Sequence, residues 1–409
     1  MPARGATTDR GIVTGVSQAR DDRLPLTTTI VFGLVVICAF GSWLYGYGVL
    51  LEPIRAETGW SESLLSSAYG IGMLAVGLGT VAGGRVVDTL GARPVFVVSA
   101  AGVVAGTVVV TLAGTPLWFG IGAVLTQGFV GTAGYYTVVH ATIAQRVPTD
   151  RTRAITVNTL WGAFASPVFL PLLGFVAQTW GWRPAMVLSG ALVAGSFLLG
   201  AMVSPHRGTA RGEAGTLRAA LGESIRDYTM RRMLYVAVCS GVASSVLFLY
   251  QVPAMVSAGL ALGLASALAG LRGLFQLLGR LPLPWLVSRF GARGVFRVGL
   301  AFVGASSLLL LVSGNVLVAV TFAVVAGAAV GAASTLESIY SAQVVQVRLI
   351  GLFLGLYSMI WGLGSAVGPV VAGFVTEAAG GRVPVFVGIT LIGLLGALLI
   401  PRDPGRTES

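Results

Sequence analysis

The chain is 409 residues long, 55% hydrophobic and 10% charged, with a mean hydropathy of +0.87; soluble proteins average about 25% charged residues, so a water-soluble fold is excluded. The formal charge of +11 comes from 26 basic residues, every one an Arg, set against 15 acids. These Arg cluster in alternate short loops, the mark of membrane topology rather than of a phosphate-binding face, so no nucleic-acid partner is expected.

A polar tail over 1–25 precedes an apolar segment too long, and lacking the small-residue cleavage site, to be a removable signal. Apolar windows then predict spans near 26–50, 63–83, 94–113, 116–140, 155–179 and 184–203. A polar, basic linker over 204–232 follows, and six further spans near 233–257, 263–287, 295–313, 316–338, 351–375 and 384–400 lead to a short tail over 401–409. Each span must satisfy its own backbone polar groups, and none alternates like a barrel strand, so helix is the assignment. The expected fold is an all-α membrane protein: twelve transmembrane helices in two pseudo-symmetric halves of six, 26–203 and 233–400.

Placing the N-terminus in the cytoplasm assigns 21 Arg to the inside segments, three (Arg55, Arg183, Arg382) to the outside loops, and two (Arg272, Arg280) to a span. The positive-inside rule therefore predicts an inner (cytoplasmic) membrane protein with both termini cytoplasmic. Cys38 and Cys239 lie inside apolar spans without CxxC spacing or a nearby His, so neither a metal, a redox centre nor another cofactor is expected.

An internal repeat is visible at a spacing of 200 residues. Val87-Asp88-Thr89-Leu90-Gly91-Ala92-Arg93-Pro94-Val95-Phe96 returns as Val287-Ser288-Arg289-Phe290-Gly291-Ala292-Arg293-Gly294-Val295-Phe296, and Trp161-Gly162 as Trp361-Gly362. A six-span unit has been duplicated in parallel orientation.

At these residues the sequence resembles the major facilitator superfamily over its whole length. The loop from Gly84 to Arg93 is similar to that superfamily's loop between spans two and three, which implies a gating role for Asp88 and Arg93. In the second copy Arg293 keeps its place, but Ser288 stands where the Asp is usual. Tyr47 to Ile54 with Gly59-Trp60-Ser61, then Gly181-Trp182-Arg183, Gly279-Arg280, and Gly364, Gly368 and Pro369, resemble bacterial relatives of monocarboxylate transporters and oxalate:formate exchangers.

The resemblance implies alternating access around a site near the bilayer midplane, where polar residues inside spans are the candidates. Arg280, Gln276 and Arg272 lie four residues apart on one stripe about 80° wide. Arg280 matches the relatives' span-eight Arg, which binds substrate carboxylate; a planar guanidinium suits that partner. Were Arg272 also to face the cavity, a dicarboxylate would be favoured over a monocarboxylate. Tyr250, Tyr135 and Asn158 complete the expected substrate-binding set. Glu337 is expected to pair with a loop Arg as a gate, and His140 is the proton-coupling candidate.

The expected activity is secondary transport of a small organic anion by a monomer in the lipid bilayer, not an enzyme reaction; no HExxH, GxSxG or Cys/His grouping is present. The alternative is a proton-driven exporter of drugs or metabolites. Against it, Val124 stands where such exporters carry an Arg before Gln127-Gly128, and their Gly-Pro motif is degraded to Ser166-Pro167.

Overall fold

A computed structural model describes residues 24–147, 151–204, 222, 224, 226–345 and 350–402. The expected N-terminal tail, most of the linker and most of the C-terminal tail lie outside the described residues. Among the described residues twelve apolar helices follow one another: α1 (Leu26–Tyr45), α2 (Glu62–Leu90), α3 (Ala92–Leu112), α4 (Pro116–Arg146), α5 (Arg153–Trp180), α6 (Trp182–Val203), α7 (Tyr228–Ser257), α8 (Leu262–Leu278), α9 (Leu283–Val312), α10 (Val316–Ser341), α11 (Phe353–Ala379) and α12 (Val383–Leu399). They form the two six-helix bundles of the expected fold. The face where α1 begins and α12 ends is here the terminal face, and the opposite one the distal face.

Several helices are broken, and the sequence supplies the causes. Residues Phe40–Tyr45 widen into a π-helix before α1 continues as Tyr47–Thr58; such wide turns recur at functional sites. In α4 the helix stops at Ala133 and resumes at Thr137. After α8 the backbone tightens, with Arg280 N–H donating to the Leu277 carbonyl (3.1 Å). Pro282 and Pro284 explain that interruption, since each lacks an amide donor and disfavours helical geometry just before it. Gly291, at φ 72°, is the counterpart of Gly91, at φ 84°. Residues 283–290 therefore complete the eighth span as 83–90 complete the second, and Arg280 sits inside a broken span.

The two bundles touch through α1–α7, α2–α11 and α5–α8. All three contacts favour the distal side. A Cβ on Gly48 would lie 2.5 Å from the Leu249 carbonyl oxygen, so only glycine lets α1 approach α7 this closely. Gly70 of α2 meets the Ala366 carbonyl of α11 in the same way. One to three turns toward the terminal face, on the same helix faces, Gly77 of α2 and Gly362 and Gly355 of α11 have open space around them. The halves thus converge at the distal face and part toward the terminal face.

At the terminal face, Arg side chains bind the carbonyls that end helices. Arg293 Nε donates to the Pro401 carbonyl (2.9 Å), Arg297 Nε to Ala397 (3.0 Å) and Arg232 Nε to Leu399 (2.8 Å), while Arg146 Nη1 reaches Val203 at the end of α6 (2.7 Å). A helix C-terminus presents unsatisfied carbonyls and partial negative charge, which a guanidinium meets on both counts.

Candidate functional site

Between the halves lies a cavity of about 190 Å³. Its walls take Phe40 and Tyr45 from the wide turn of α1, Tyr136 from the break in α4, Ser240, Ser244 and Phe248 from α7, and Gln276 and Arg280 from the broken eighth span. Ser334 and Glu337 of α10 and Trp361 of α11 close the ring. Breaks in α1, α4 and the eighth span therefore all open onto one space. Irregular backbone at membrane depth is tolerated where it lines a cavity.

Arg280 and Glu337 are the two charged residues of this lining. Arg280 Nη2 reaches Ser334 Oγ at 3.5 Å, and its Nε, although buried, has no hydrogen-bond partner. Glu337 accepts a 2.5 Å hydrogen bond from Ser240 Oγ. Among the described residues no ion pair joins Glu337 to an Arg. The sequence placed Glu337 at a gate; the structure places it in the cavity wall, one helical turn from Ser334.

Arg272 lies just distal to this space and is fully buried. Its Nε donates to Gln251 Oε1 (2.9 Å) and its Nη1 to Gln276 Oε1 (3.2 Å). The guanidinium also stacks on Phe248 (4.7 Å) and Tyr45 (5.5 Å), a cation–π arrangement strengthened by loss of water. Gln276 bonds Arg272 and shares the cavity lining with Arg280, but Arg272 forms the roof of the cavity rather than its lining.

Tyr250 lies farther toward the distal face. It is fully buried, and its hydroxyl bonds Ser66 Oγ across the halves (2.8 Å). Tyr135 packs edge-on against Phe40 (4.7 Å) with its hydroxyl unpartnered. His140 stacks on Tyr136 (4.8 Å) beside the buried Asn158 amide, and neither His140 Nε2 nor the Asn158 polar atoms have a partner within hydrogen-bonding geometry. Asp88 and Arg93 are exposed at the terminal face, and Arg293 holds the end of α12.

The distal seal was not foreseen as a unit. Arg382, at the start of α12, donates Nε and Nη2 to the two oxygens of Glu62 (2.9 Å each), Nη2 also to Glu52, and Nη1 to the Pro253 carbonyl (3.0 Å). Arg55 joins the same acids from the other side, at 2.9 Å from Glu62. Glu62 is 3% exposed and the Arg382 side chain 10%. This bidentate pair bridges positions 320 residues apart, so no local pattern announces it. Below it follow Tyr250 with Ser66, then Arg272 with Gln251, then the cavity.

The family model of the Major Facilitator Superfamily matches residues 31–271 and 233–409. Among solved structures, the nucleoside transporter NupG aligns with a TM-score of 0.76 at 16% identity, covering 92% of this chain and 97% of that one. A D-xylose-proton symporter aligns at 0.72 and 17% identity, covering 93% and 99%. A bacterial homologue of the human lysosomal transporter Spinster, in an inward-facing and occupied conformation, aligns at 0.69 and 16% identity, covering 92% and 93%. No curated protein matches the sequence. Identities this low speak for the fold alone, but the family match spans nearly the whole chain, and it agrees with twelve helices around a central cavity: the chain belongs to the Major Facilitator Superfamily and is a membrane transporter, not an enzyme.

Proposed function

We propose that this transporter carries a small monocarboxylate by alternating access, with Arg280 as the carboxylate anchor and Glu337 as the carrier of a co-transported proton. The observation that carries this reading is the Arg280 guanidinium, which faces the cavity with a buried Nε that no protein acceptor satisfies. A carboxylate would supply the missing acceptor in the geometry that guanidinium prefers. The likeness of Gly279-Arg280 to monocarboxylate and oxalate:formate carriers points the same way.

Substrate size and charge count follow from the walls. A cavity of about 190 Å³ holds roughly six water-sized volumes of about 30 Å³ each, which suits a small acid. Arg272 is held in the roof by two Gln, its Nη2 left unpartnered, and does not line the cavity, so Arg280 is the cationic anchor that faces the substrate. That favours a monocarboxylate over a dicarboxylate. With 21 Arg predicted on the terminal side and three on the distal side, the terminal face is the cytoplasmic one, and the state described is inward-facing.

A carboxylate substrate would share the cavity with Glu337, and two like charges about 6 Å apart at an effective dielectric of about 20 repel by about 3 kcal/mol. A proton on Glu337 removes that cost, so anion and proton travel together. Glu337→Gln is expected to abolish accumulation driven by a pH gradient in proteoliposomes while preserving exchange of substrate for substrate. Full pH-driven accumulation in that variant would exclude Glu337 as the proton carrier.

The second reading, export of a lipophilic cation, has its own support, since Glu337 lies among Tyr45, Phe248 and Trp361. Thermal stabilisation of the purified protein by mono- and dicarboxylates and by cationic drugs separates the two, because a ligand at 100 times its Kd stabilises by about 2.7 kcal/mol. Stabilisation by a monocarboxylate supports the anion reading; stabilisation by cations alone overturns it.

A further inference from the structure

A second cavity, of about 500 Å³, opens at the terminal face between α9, the end of α10 and the end of α12, lined by Arg293, Arg297, Arg402, Tyr340 and Gln343 among others. No acidic side chain lines it among the described residues. Arg232 adds a further cation within electrostatic reach of Arg293. Clustered guanidiniums repel one another, and helix-end carbonyls, which take up the Nε groups of Arg293 and Arg297, carry only partial charge. Among the described residues the arrangement lacks a full counter-charge.

The internal repeat shows that this is a departure and not a property of the loop. In the first copy the corresponding positions are Asp88, Thr89, Arg93 and Val97; in the second they are Ser288, Arg289, Arg293 and Arg297. One acid has been lost, and two Arg have been gained for the one lost where Trp285 stands at the position of Arg85, so a loop of mixed charge has become wholly cationic. Gly291, in the left-handed region, turns the chain there, and Ala292 and Gly294, in the first turn of the helix that restarts after it, line the same space. Trp285 and Phe290, both 61% exposed and packed edge to face, flank it on the outer surface of the bundle. Aromatic residues of this kind settle at the level of lipid headgroups.

We propose that this cavity is a binding site for a phosphate-bearing anion, the headgroup of an anionic phospholipid being the occupant that its place beside lipid-facing aromatics favours. Arg297 and Arg402 engage the phosphate, while Arg293 mainly fixes the end of α12. Basic pockets of this kind between transmembrane helices suit anionic headgroups. The site lies on the outside of the C-terminal half and does not depend on what the central cavity carries.

The test is thermal stability of the full-length protein in detergent micelles, without transport substrate, doped with phosphatidylglycerol, with phosphatidylcholine, or supplied with inorganic phosphate. Wild type is compared with Arg297→Gln/Arg402→Gln and with Arg85→Gln, an exposed Arg of the first copy. Phosphatidylglycerol is expected to raise the melting temperature of wild type and of Arg85→Gln, and to lose that effect in the double variant. Phosphatidylcholine is expected to do nothing. Stabilisation by inorganic phosphate that equals phosphatidylglycerol and vanishes in the double variant would keep the anion site but assign it to free phosphate. Equal stabilisation of wild type and double variant, or none in wild type, overturns the proposal. If the double variant melts early without lipid, Arg402→Gln alone is the reporter, because Arg402 is exposed.

Discussion

Arg280→Gln is expected to weaken carboxylate binding by roughly 100-fold, or about 2.7 kcal/mol, the scale for removing one partner of a desolvated charge pair. The fold should survive the change. Arg280 lies in a stretch whose regular helical bonding has already tightened to i→i−3 bonds ahead of Pro282 and Pro284, and its side chain makes only the long contact to Ser334 among the described residues. Arg280→Lys separates charge from shape: it keeps the cation but loses the planar fork, and should recover about a tenth of wild-type affinity. Isothermal titration or substrate-induced melting shifts on wild type, Arg280→Gln and Arg280→Lys provide the measurement. Unchanged carboxylate affinity in Arg280→Gln would remove the anchor and with it the anion reading.

The second large effect is expected at the distal seal. Arg382→Ala would leave both the buried Glu62 and Glu52 with only Arg55 to compensate them. Stranding a buried charge costs about 3–5 kcal/mol when no partner remains. With Arg55 still in place a loss of about 2 kcal/mol is expected, which moves a two-state equilibrium by about 30-fold. The distally closed state bears that cost because the two halves meet there. Spin labels at Ala56→Cys and Ala379→Cys, exposed distal positions in opposite halves, with Cys38 and Cys239 replaced by Ala, should show a longer distance population in Arg382→Ala. An unchanged distance distribution would mean that glycine-mediated packing, as at Gly48, holds the face shut without the ion pair.

The sequence made the fold legible because membrane helices carry their signal locally, in length, apolarity and the placement of Arg. The candidate site was legible along a single helix: the stripe of Arg272, Gln276 and Arg280 does run toward the cavity. What periodicity could not decide was depth, since Arg272 and Arg280 share a face but Arg272 is stacked into the roof with Phe248 and Tyr45 while Arg280 lines the cavity beneath it. Glu337 shows the same limit. Its place near the end of α10 suggested a loop partner, whereas its side chain lines the cavity and accepts a hydrogen bond from Ser240. The Arg382–Glu62 pair joins two span ends distant in sequence, each of which reads alone as an ordinary charged helix terminus.

The wide turn at Phe40–Tyr45 holds about one residue more than a regular turn of α-helix. Losing one residue there would restore regular winding and leave the later faces of α1 in register. An α-helix advances about 100° per residue, so the same loss in the regular stretch from Tyr47 onward would swing Glu52 out of the reach of Arg382. Single-residue deletions should therefore be easier to accommodate over evolutionary time within Phe40–Tyr45 than beyond it.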